Sequence, residues 1–217
     1  MCGKFTQRVI WTDIVTCPGA CATASETVTS TPMRMARIIR LNGEGERENV
    51  AMRWGFADRT AGNPAFPKHM HARAETIDTR PTFVSAFANG RGILLVETFN
   101  EGEELPNGKT KQWTITPRDG APLAIAVICE EWRNGDETLW TFVQVTTPAN
   151  SLIAPVTDRM PAILRPQDWP AWLGETDASL AEIKGLLSTR DDGGAWTIAP
   201  QEPKKASARS DTQPDLF

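Results

Sequence analysis

A chain of 217 residues, 40% of them hydrophobic, suits one domain with a buried core, and no apolar run approaches the ~18 residues that would span a membrane. The early stretch carries Lys4, Arg8 and Asp13 and does not read as a secretory signal, so the four cysteines are expected as reduced thiols in the cytoplasm. The net charge of −4 speaks mildly against nucleic acid, yet residues 1–80 hold 11 Lys/Arg against 8 Asp/Glu (+3) and residues 81–217 hold 12 against 19 (−7), which confines any basic surface to the N-terminal part.

In chain order, the first feature is MCGKF, with a cysteine directly behind the initiator methionine. A residue this small permits removal of Met1, which leaves Cys2 with an α-amine and a thiol whose ordinary pKa values are about 8 and about 8.5, both near their reactive forms at neutral pH. Cys17 and Cys21 lack the second pair of ligands that a zinc site shows, and no metal or other cofactor is indicated. Arg34, Arg37, Arg40, Arg53, Lys68 and Arg73 are candidates for a phosphate-tracking groove, the alternative being a scattered solvated face.

Runs at 35–41, 50–56, 92–99, 113–116, 123–129 and 140–146 alternate or are continuously apolar and predict strands, separated by the turn pairs Asn107-Gly108, Asp119-Gly120 and Asn134-Gly135. Helices are predicted at 81–88, opened by Pro81, and at 166–173. A third is capped by Asp177, with Leu180, Ile183 and Leu187 on one face. His69 and His71 form a His-x-His pair on one strand face, too few ligands for a metal. The expected fold is α+β, a β-rich single domain of antiparallel sheets with a few short helices over 1–199. A polar tail over 200–217 follows, ending QPDLF.

Several stretches, taken in order, resemble the SOS response-associated peptidase (SRAP) family of abasic-site processing proteins. MCGKF is similar to its Met-Cys-Gly-Arg-Phe start, MRWGF at 52–56 to its Trp-Gly-Leu segment and HARAET at 71–76 to Asn-Ala-Arg-Ala-Glu-Thr. RGILLVETFNEG at 91–102 resembles the stretch ending Gly-Phe-Tyr-Glu-Trp, and TDRMPAIL at 157–164 resembles His-x-Arg-Met-Pro, with LAIAVICEEW at 123–132 and TTPAN at 146–150 in the expected order between them. The resemblance covers roughly residues 1–175.

What it implies is covalent capture of abasic sites in single-stranded DNA, the amine and thiol of Cys2 closing a thiazolidine on the sugar aldehyde, with self-release of the adduct and autoproteolytic loss of Met1 as related activities. Glu101 is implied as the proton-transfer group, chosen over the nearby rivals Glu97, Glu103 and Glu104 by register with Phe99, and Arg73 and Arg159 as holders of phosphate, although each as a lone arginine is also a candidate ion-pair partner, of Glu75 or Asp158. Lys4, Trp54 and Phe56 are further candidates for DNA contact, core packing being the alternative for the two aromatics. Two departures stand out. The family's Asn is His71 and its His is Thr157, which cannot titrate near neutral pH, so His71 is a candidate to have taken over the proton-handling role. The tail's Gln213, Leu216 and Phe217 resemble a bacterial sliding-clamp-binding peptide. The competing readings are an N-terminal-nucleophile amidotransferase, which can also begin Met-Cys-Gly, and a catalytically weakened adaptor that binds single-stranded DNA and the clamp.

Overall fold

A computed structural model describes residues 2–8, 27–58, 63–191 and 194–201. Cys17, Cys21, Gln213, Leu216 and Phe217 lie outside the described residues. The β-rich expectation holds: two antiparallel-dominated sheets pack together, with short helices against the outer face of one.

The smaller sheet contains β1 (Lys4–Arg8), β2 (Thr27–Ser30), β9 (Thr98–Glu104), β10 (Thr110–Pro117) and β15 (Trp196–Pro200), in the order β15-β10-β9-β1-β2. The larger contains β3 (Met35–Leu41), β4 (Arg47–Trp54), β7 (His71–Arg73), β8 (Arg91–Val96), β11 (Leu123–Asn134), β12 (Glu137–Pro148), β13 (Arg159–Pro161) and β14 (Ile163–Leu164). Its path β12-β4-β3-β8-β11 returns on itself because β11 also pairs with β12. That hairpin is closed by Gly135 at φ +58°, the left-handed conformation that a two-residue turn between twisted strands requires. A separate pair, β5 (Phe56–Ala57) with β6 (Pro67–His69), completes the strands among the described residues.

Continuously apolar strands such as LAIAVIC in β11 bury both faces. One face of the large sheet meets the small sheet through Phe5, Ile38, Met52, Trp54, Phe99 and Phe142, and Cys2 belongs to this layer. The other face packs under α1 (Pro81–Asn89), α2 (Trp169–Leu173) and α3 (Leu180–Gly185) through Phe83, Phe87, Trp172 and Ile183.

Three expectations are corrected. The run at 92–99 is two strands: β8 and β9 belong to different sheets, and the chain changes sheets at Glu97, whose N–H donates to Thr6 O at 2.7 Å. The strand expected over 50–56 ends at Trp54, because Gly55 takes φ +115°. Ser179 rather than Asp177 caps α3, its hydroxyl accepting from Glu182 N–H while the Glu182 carboxylate accepts from Ser179 N–H.

Candidate active site

Cys2 is placed by the strand that follows it. In the β1–β9 register Lys4 faces Asn100 and Phe5 faces Phe99, so the residues before Lys4 run past Glu101. Glu101 itself sits mid-sheet between β1 and β10, opposite Trp113. Being two residues from Phe99, it shares that residue's face and enters the apolar layer between the sheets. Cys2 and Glu101 are both 0% exposed.

Burial governs their chemistry. The Glu101 carboxyl is pushed up to about 7, chiefly by loss of solvent. The Cys2 backbone amide pulls the other way, while nearby Asp158 adds to the rise. The Cys2 thiol is pushed well above its ordinary range by burial and by the charge of Glu101, opposed by the backbone amides of Lys4 and Asn100, which favour the thiolate. The resting sulfur is therefore a thiol, and its hydrogen lies toward Lys4 O at 3.4 Å.

A third element fixes the backbone of Cys2. His71, at the start of β7, bonds through Nε2 to Cys2 O at 2.8 Å. A carbonyl oxygen only accepts, so Nε2 carries the hydrogen. Burial holds this imidazole down at about 4, so it stays neutral through the physiological range. Its ring stands edge-on to Trp54 with centroids 5.7 Å apart. Gly55 makes this approach possible: a Cβ there would lie 2.6 Å from Pro67 Cβ and 2.8 Å from Met70 Sδ, pushing away the segment that leads into His71.

Outside this buried group lies an open cleft of about 510 Å³ lined by Cys2, Gly3, Lys68, His69, Met70, His71, Arg73, Arg80 and Thr146. Two of the six cations expected to form a groove, Lys68 and Arg73, are in it. Arg40 instead stacks on Trp140 at 3.8 Å and pairs with Glu48 at 2.6 Å. Arg80 was missed by sequence reasoning, as was Thr146. The available signal for Arg80 was its position just before Pro81, which puts it at the start of α1, beside β7.

The other candidates fall elsewhere. Trp54 and Phe56, at 0% and 1% exposure, are corrected from DNA contacts to core residues. Trp54 packs between a tilted Phe5 ring and a stacked Phe142 ring, and its Nε1–H donates to Met70 O at 3.0 Å. Lys4 reaches Gln201 Oε1 at 2.6 Å and does not line the cleft. Arg159 is buried and both its Nη atoms bond to Glu75, at 2.5 and 2.9 Å, the ion-pair alternative raised by the sequence. Thr157 lies in the turn before β13, its N–H on Ile153 O at 3.1 Å. Its hydroxyl cannot replace a titrating imidazole, and His71, neutral and bonded to a carbonyl, is built to hold Cys2 rather than to exchange protons near pH 7. Among the described residues no three His, Cys, Asp or Glu side chains are grouped to hold a metal ion, and no helix is long and apolar enough to cross a membrane.

A cysteine behind Met1, a glutamate buried near it and a basic cleft outside them form one arrangement, and the sequence profile of the SOS response associated peptidase (SRAP) family matches residues 1–201. The chain belongs to this family. Abasic site processing protein YoqW of Bacillus subtilis (strain 168) is 28% identical over 158 residues, 71% of this chain and 70% of that protein. Abasic site processing protein YobE of the same organism is 26% identical over 198 residues, 88% and 90% of the two chains. The SRAP fold is shared with a crystallographically solved protein of Bordetella bronchiseptica (TM-score 0.76, 22% identity, 93% of this chain and 100% of that one). A second, from Bacteroides thetaiotaomicron, gives a TM-score of 0.75 at 21% identity, covering 93% and 92%.

Proposed function

We propose that this protein acts in DNA repair by capturing abasic sites in single-stranded DNA as a covalent adduct of Cys2. The observation that carries the reading is the burial of Cys2 and Glu101 together, both 0% exposed and close enough for the charge of Glu101 to act on the Cys2 thiol. Once Met1 is removed the Cys2 nitrogen is the α-amine, so amine, thiol and a carboxyl whose pKa burial raises are gathered in one layer. Membership of a family whose relatives carry abasic site processing names supports the choice of substrate.

An abasic sugar is a cyclic hemiacetal. Protonated Glu101 delivers a proton to the ring oxygen as the hemiacetal hydroxyl loses one, freeing the aldehyde. The Cys2 amine adds to the aldehyde carbon and water leaves, giving an imine. The sulfur then bonds to that carbon, the C=N bond becomes C–N, and the thiol hydrogen ends on nitrogen, so one water is released overall. Glu101 as carboxylate accepts protons that the ammonium or thiol must shed. His71 holds the Cys2 carbonyl while this occurs. Arg73, exposed on β7, offers two parallel hydrogen bonds to a phosphate, and Lys68 and Arg80 extend the positive wall. Docking of a sliding clamp by Gln213, Leu216 and Phe217 rests on the sequence alone.

Incubation with single-stranded DNA carrying an abasic site is expected to give a band stable on a denaturing gel, and Cys2→Ala is expected to remove it. Binding without any covalent band would instead make this an adaptor.

A further inference from the structure

We propose that Arg159 is a positioning residue: locked onto Glu75, it clamps β7 against β12 so that His71 keeps Cys2 in register, and it does not hold the DNA backbone. The inference rests on the reading of Cys2 as nucleophile. β7 has three residues and, among the described residues, pairs only with β12, in parallel through Gln144, Val145 and Thr146. So short a parallel pairing is weak by itself. Yet it carries the two side chains on which the cleft depends, His71 at one end, on Cys2 O at 2.8 Å, and Arg73 at the other.

Thr146 is where the clamp closes. It pairs with Arg73 of β7 on one side and with Pro161 of β13 on the other. Arg159, the first residue of β13, donates from Nη2 to Thr146 O at 2.7 Å and to Thr146 Oγ1 at 3.3 Å, and from Nη1 and Nη2 to the two Glu75 oxygens at 2.5 and 2.9 Å. Glu75 sits two residues past β7, and the turn that holds it is tied again by Lys184, whose Nζ donates to Glu75 O at 3.1 Å and Asp78 Oδ1 at 2.6 Å. One guanidinium thus fastens the end of β7, the middle of the sheet and β13 together. The Arg159 side chain is 10% exposed and that of Glu75 is 47% exposed, so an approaching phosphate meets the carboxylate first.

The effect of Glu75→Gln on the saturating rate of crosslinking separates the two roles. Glu75 lies two residues from Arg73 and both are exposed, so removing its negative charge tightens DNA binding in either role. Removing the anchor of a clamp also lowers the saturating rate of crosslinking, here about tenfold, as small misplacements of reacting groups do. The expected pattern is that slower rate with DNA binding no weaker, faster amide hydrogen exchange at Ala72, partial rescue by Glu75→Asp, and a double Glu75→Gln/Arg159→Lys variant no slower than the slower single. Tighter binding with a wild-type crosslinking rate, or a shallower salt dependence of binding for Arg159→Lys, overturns the proposal. Amide exchange at Ala72 reads the clamp without any crosslink. A wild-type protein that forms no Cys2-dependent band therefore removes the nucleophile reading while leaving the clamp measurable.

Discussion

The layer around Glu101 and the rim around Glu75 treat one kind of side chain in opposite ways. Glu101, enclosed between two sheets, is raised to about 7 by loss of solvent. Glu75, half exposed and hydrogen-bonded by Arg159, is held below the usual carboxylate range. The first arrangement makes a group that changes protonation at working pH, and the second makes a fixed anion that serves as an anchor. On the function proposed above, two carboxylates whose environments separate their titration would divide proton transfer from architecture between them.

The largest break in this comparison is expected from Glu101→Gln, which keeps the shape and removes the exchangeable proton. The crosslinking rate should fall by about 10²–10⁴-fold, the usual worth of a general acid–base group, with DNA affinity retained. A rate within a few-fold of wild type would place proton transfer elsewhere.

A smaller effect is expected from Arg73→Ala. Binding should weaken for every sequence, and the slope of log affinity against log salt should shrink by about one phosphate contact, as fluorescence titration would record. An unchanged slope would take Arg73 off the backbone.

The smallest effect sharpens the comparison within the site itself. The raised pKa of Glu101 stabilises the fold most below about 4.5, and that contribution is lost as pH rises toward about 7. The lowered pKa of His71 stabilises most above about 6.5, and that contribution is lost as pH falls toward about 4. The two oppose each other over the same window, so wild-type stability should vary little there. Chemical denaturation of His71→Asn across pH 4.5 to 6.5 should show stability falling as pH rises, the bare contribution of Glu101, and Glu101→Gln should show the reverse.

Cys2 and Glu101 stand out in the sequence because short local motifs mark them, and the strands of β3, β11 and β12 because their apolar patterns are long. The break at Glu97 was not legible, since the apolar run continues through it and only pairing with different partners divides β8 from β9. For Trp54 and Phe56 the sequence left DNA contact and core packing both open, and the opposing layers rather than neighbours in the chain decide for the core. Ser179 displaced Asp177 as a cap because Glu182 lies three residues beyond it, completing the reciprocal pair of bonds. Arg159 was legible only as a set of alternatives, a phosphate holder or an ion-pair partner of Glu75 or Asp158: the partner is 84 positions away, and the fold selects Glu75.

The account stands most directly on the intact mass of the protein after incubation with an abasic oligonucleotide. It predicts a species equal to the chain without Met1 plus the oligonucleotide minus one water, absent for Cys2→Ala. A chain that retains Met1 throughout, or an adduct that forms equally well without the Cys2 sulfur, would contradict it.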